Sequence, residues 1–128
     1  MKTLIYMIIL FIGVFSLCIW DGINSSKIFE YSVNKSEHIY NSLITSTIEN
    51  EEIKNEIHKL NDYWTKKMDT LAISISRKDL QPVSDYLQYL YASTINNNQE
   101  DAITYARLLH YNLIGLKESN GISIVNLL

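Results

Sequence analysis

The sequence predicts an all-α protein: a single N-terminal transmembrane helix followed by a three- to four-helix up-and-down bundle. Three observations carry this. Residues 3–20 are uncharged and almost wholly apolar. The remaining residues repeat apolar side chains at helical steps of three and four. No alternating strand pattern of useful length occurs, and the chain holds only four glycines and one proline.

Thr3 to Trp20 reads TLIYMIILFIGVFSLCIW, where only Thr3, Gly13 and Ser16 interrupt the apolar run. At 1.5 Å per residue this spans roughly 27 Å, close to a hydrocarbon core of ~30 Å. Lys2 precedes it and Asp21 follows it. The positive-inside rule then places the N-terminus in the cytoplasm and the rest of the chain outside, as a single-pass cell-membrane protein. Trp20 suits the outer interface. Ser16-Leu17-Cys18-Ile19-Trp20 is too bulky for an A-x-A-like cleavage site, which favours an uncleaved anchor over a cleaved signal. A lipoprotein reading would modify Cys18, but Leu17 is larger than the small residue expected before such a cysteine. The predicted organisation is therefore an anchor over 1–22 and an extracytoplasmic bundle over 23–128.

Residues 24–47 show a broken stripe, Ile28, Ser32, Lys35, Ile39 and Leu43, reinforced by Phe29, Val33, Tyr40 and Ile44. They read as a helix continuing from the anchor or starting just after it, whose poor stripe is completed against a partner helix. Asn50-Glu51-Glu52 marks a turn. The strongest element follows, with Ile53, Ile57, Leu60, Trp64, Met68, Leu71 and Ile75 on one face and charged residues on the other. The next helix is expected to start at Asp79 as N-cap, with Pro82 in its first turn and Leu80, Val83, Leu87 and Leu90, joined by Tyr91, as its apolar stripe. Asn96-Asn97-Asn98 ends it. Asn97 with Glu100 resembles a capping box. The last helix presents Ile103, Ala106, Leu109, Leu113 and Leu116, with Lys117 in its final turn and Gly121 closing it in a left-handed conformation. Ile122 to Leu128 forms an apolar tail that packs back on the bundle.

Charge and composition exclude several functions. All 14 acidic residues, and all but Lys2 of the 11 basic ones, lie after residue 20, so the exterior part is net acidic and no nucleic acid is expected as partner. A single cysteine excludes an internal disulfide and a multi-cysteine zinc site. His38, His58 and His110 follow no metal-binding spacing; His58 and Asp62, four apart, supply two ligands where a site needs three or four. Ser32-Val33-Asn34-Lys35 fits S-x-x-K, but the S-D-N and K-T-G elements are missing. The carboxylates Glu49, Glu51, Glu52 and Glu56 read as a solvated helix start without the calcium-loop pattern. No nucleophile, base and orienting group form a set, so no enzyme and no cofactor are expected. Tyr86 and Tyr89, together on one side of this helix, and Tyr91, on another, are candidates for a protein-contact surface, since tyrosine offers large area at low entropy cost. A small-ligand sensor or carrier is the alternative, favoured if His110 meets Asn112 or Tyr105 inside the bundle.

With these elements in place, the chain resembles a domain-of-unknown-function family of small, N-terminally anchored helical proteins from Gram-positive spore-forming bacteria. The resemblance rests on the anchor, a long helix with Trp64 and Leu71, a polar break before Asp79-Leu80, then Leu116-Lys117-Glu118 and Ser123-Ile124-Val125-Asn126. Arg77 departs from it. The family brings no catalytic residues; it implies association with YetF-like membrane proteins, and so a YetF-like or other envelope membrane protein as partner beside the bilayer.

Overall fold

The structure, a computed structural model, describes residues 1–127, with side chains through Gly121. Four helices make up the described residues, with no strand: α1 (Lys2–Thr45), α2 (Glu51–Leu71), α3 (Arg77–Ile95) and α4 (Gln99–Leu127). Each packs on its sequence neighbour, and α1 also packs on α4, so the four form a ring with α1–α3 and α2–α4 across the diagonals. Named contacts set the register. His38 meets Glu56 and Tyr31 meets Tyr63 between α1 and α2. Trp64 meets Ser84 and His58 meets Tyr91 between α2 and α3. Ser36 meets His110 and Gly22 meets Asn120 between α1 and α4. In every pair one number rises as the other falls, so the neighbours are antiparallel, as connections of three to five residues require.

α1 is 44 residues long, about 66 Å, and passes residue 22 without a break. Its first buried side chain is Ser25. From there the buried face is Ser25, Ile28, Phe29, Ser32, Val33, Ser36, Ile39 and Leu43. This corrects two expectations. Lys35 is not on the stripe, and Ile44 is exposed; small serines fill the positions that made the stripe look broken. The partner helix that completes it is the chain's own α4, which offers Ala102, Ala106, Leu109 and Leu113.

The core stripes of α2 and α3 bury Ile53, Ile57, Leu60, Trp64, Leu71, Leu80, Val83, Leu87 and Leu90. Met68, Ile75, Ile103 and Leu116 pack against this core partly buried. Ile75 does so from a connection rather than a helix, because α2 ends at Leu71. The Ile75 amide still reaches the Leu71 carbonyl, at 2.9 Å.

Three helix ends differ from expectation. Asp79 does not cap α3; the Ser76 hydroxyl does, accepting from the Lys78 amide at 3.3 Å. Pro82 therefore lies past the first turn, inside α3. Asn97 does not cap α4 but closes α3. Its φ of 52° is left-handed, which asparagine tolerates. The Asn97 and Asn98 amides return to the Thr94 and Ser93 carbonyls, a Schellman closure. Asn98 caps α4, its Oδ1 accepting from the Asp101 amide at 3.1 Å while its Nδ2 donates to Asp101 Oδ2 at 2.9 Å. Nor does Gly121 end α4: the helix runs through it to Leu127, and no glycine has positive φ among the described residues. Lys117 is therefore not in the last turn. The packing expected of the Ile122–Leu128 tail lies outside the described side chains.

At the end of the bundle far from the apolar segment, Gln99 clasps the α1–α2 connection. Its Nε2 donates to the Leu43 and Ser46 carbonyls, and its Oε1 accepts from the buried Ile48 amide. Ile48, not anticipated from the sequence, is a core residue held by this clasp. Gln99→Ala strands a buried donor and is expected to cost about 2 kcal/mol. Urea unfolding of the full chain in detergent checks this; an unchanged midpoint would refute the clasp.

Candidate functional site

The largest uniform surface is the outer part of α1. Every side chain from Thr3 to Cys18 is exposed, including Leu4, Ile8, Phe11, Ile12 and Phe15. Phe11 and Phe15, four apart, stack with centroids 6.4 Å apart. This is the one helix among the described residues long and apolar enough to cross a membrane. Soluble proteins rarely leave so large a contiguous apolar surface bare.

The three tyrosines singled out from the sequence do not share a surface. Tyr86 packs partly buried on the core. Tyr89 is 50% exposed and leans on Tyr105 of α4, with centroids 5.2 Å apart. Tyr91, 37% exposed, turns the other way to His58 of α2, at 6.0 Å. Tyr89 and Tyr91 thus belong to two separate aromatic pairs, since residues two apart on a helix diverge by about 200°. A third pair, Tyr31 with Tyr63 at 4.2 Å, was not anticipated, since it joins α1 to α2. Burial, and second the adjacent Tyr31 phenol, push the Tyr63 hydroxyl above the usual tyrosine range.

The histidines are dispersed. His38 pairs with Glu56 at 3.1 Å, and His58 with Asp62 at 3.3 Å. His110 meets neither Asn112 nor Tyr105 through a hydrogen bond; its Nδ1 lies 3.0 Å from Ser36 Oγ, in the α1–α4 seam. No group of three or more His, Cys, Asp or Glu gathers among the described residues. Ser32 and Lys35 do not work together. Ser32 is buried in the bundle without a hydrogen-bond partner, while Lys35 lies over the Tyr31 ring. Glu51 and Glu52 occupy the exposed first turn of α2.

An open groove of about 620 Å³ lies between the start of α3 and α4, lined by residues that include Pro82, Tyr111 and Gly115. It is a surface trough, with Tyr111 exposed at its edge. No family model matches the chain, and no curated protein or solved structure is significantly similar to it.

Proposed function

We propose that this chain is a membrane-anchored, non-catalytic helical module. Its apolar segment holds it in the cell membrane with the N-terminus in the cytoplasm, and its bundle contacts another envelope membrane protein outside. The observation that carries this reading is the bare apolar length of α1, which continues without a joint into the first helix of the bundle. A rigid junction of this kind holds the bundle close to the bilayer, within reach of a neighbouring membrane protein. The resemblance of the sequence makes a YetF-like protein the first partner to test. Tyr89 and Tyr91, on separate faces, are the contact residues to probe.

The ligand-carrier alternative draws less support. Among the described residues the buried side chains are apolar apart from four serines and Thr94, and His110, expected to meet Asn112 or Tyr105, meets Ser36 in the α1–α4 seam instead.

Protease treatment of intact cells carrying a C-terminal tag tests the reading. Loss of the tag, with the N-terminal segment retained in the membrane fraction, is expected. A photocrosslinker at position 89 or 91 should then trap a defined membrane protein. A protected tag, or mature chain released to the medium, would overturn the topology; no adduct from either position would overturn the contact role.

A further inference from the structure

The bundle has two chemically different ends, and its connectivity decides which one meets the bilayer. Phe29 of α1 lies beside Trp64 of α2. Leu71, the last residue of α2, is seven residues further along, about 10 Å by helical rise. Antiparallel packing therefore brings it level with Gly22 of α1, two residues past Trp20. Asn120 Nδ2 donates to the Gly22 carbonyl at 3.2 Å, so α4 reaches the same level. The α2–α3 connection, residues 72–76, thus lies at the height where the apolar segment ends.

The side chains there suit that position. Ile73 stands at the tip of the connection, 81% exposed, where nothing in the bundle covers it. Around this end lie Lys27, Lys66, Lys67, Arg77, Lys78 and Lys117, most of the cations that follow the apolar segment. Asp21, Asp69, Asp79 and Glu118 lie at this end too, and Asp69 pairs with Arg77 at 2.9 Å, so the lysines leave a small cationic excess. The opposite end is acidic: Glu49, Glu51 and Glu52 begin α2, and Glu100 and Asp101 begin α4. The charge runs from a small cationic excess near the apolar segment to anionic far from it.

We infer that the α2–α3 end of the bundle docks on the bilayer that holds the anchor, with Ile73 entering the headgroup region and the surrounding lysines facing anionic phospholipid. This rests on the membrane-anchored reading and specifies the bundle's stance upon it. An apolar side chain flanked by cations is the chemistry of a peripheral lipid contact, and such cations are drawn to an anionic surface within a Debye length. Tethering by α1 makes the contact intramolecular, so a modest intrinsic affinity suffices.

The full chain, with Cys18→Ser and Ile73→Cys, is labelled with an environment-sensitive dye and reconstituted into phosphatidylcholine vesicles with or without one quarter phosphatidylglycerol. A matched chain carries the dye through Ile95→Cys, 65% exposed near the acidic end. Both substitutions fall on exposed residues and leave the core intact. With phosphatidylglycerol present, nitroxide lipids labelled at the headgroup should quench the dye at position 73 at least twofold more than the dye at 95. Adding Lys66→Glu with Lys78→Glu, or raising the salt to 0.5 M, should remove most of that difference. Equal quenching at both positions, in vesicles with which the chain floats, overturns the docking while leaving the anchor standing. Quenching indifferent to phosphatidylglycerol overturns the anionic surface. A chain that does not float with the vesicles overturns the anchored reading, and the docking with it.

Discussion

Trp64→Ala is expected to bring the bundle to the edge of unfolding. Trp64 is a fully buried side chain near the middle of α2. It leans on Phe29 of α1, with centroids 6.4 Å apart, and its Nε1 donates to Ser84 Oγ of α3 at 3.1 Å. Ser84 Oγ in turn lies 3.2 Å from Met68 Sδ. One side chain therefore joins three helices. Truncating a buried tryptophan costs about 3–5 kcal/mol, through lost apolar transfer and the cavity left behind. Domains of this size are stable by only about 5–15 kcal/mol. Trp64→Phe should cost much less, because it keeps most of the ring and loses chiefly the indole hydrogen bond, worth about 1 kcal/mol. Thermal unfolding of the full chain in detergent, followed by far-ultraviolet circular dichroism, checks both. Equal midpoints for wild type and Trp64→Ala would show that Trp64 is not the keystone of the core.

Leu10→Lys combined with Val14→Lys is expected to move the protein from the membrane fraction to the soluble one. Both residues lie one turn apart near the centre of the apolar segment, and both are exposed. A lysine at a helix centre costs about 2.5–3.5 kcal/mol of insertion, so two act together strongly. Neither side chain touches the bundle, so the unfolding midpoint should not move. Alkaline extraction of membranes measures the first effect and circular dichroism the second. Membrane retention equal to that of the wild-type chain would contradict an anchoring role for this segment.

Much of the fold was legible in the sequence because helical spacing is a local signal. The run Ile53, Ile57, Leu60, Trp64 announces α2, since only one face of a helix can collect those residues. The apolar segment is legible for the same reason: length and composition suffice to recognise it. Helix ends were less legible. Ser76 and Asp79 are both good caps, and Asn97 and Asn98 are chemically identical. Which one closes and which one opens depends on a left-handed turn that composition does not specify. The serine seam of α1 was read as a gap because serine scores as polar, although a small side chain lets α4 come close. That Tyr91 points away from Tyr89 is legible from helix geometry, but their separate partners, Tyr105 and His58, are not, because they lie on other helices.

By itself, the sequence determined an all-helical chain with one uncharged apolar stretch at its start and amphipathic segments after it. These follow from the order of apolar and polar residues along a 3.6-residue turn, which any reader of the chain can count. Only the tertiary structure decided that α4 covers the serines of α1, that Gln99 holds the far connection, and that Ile73 and its lysines share a level with Trp20. Those arrangements join residues 40 to 100 positions apart, and such distances close only when four helices pack antiparallel in a ring.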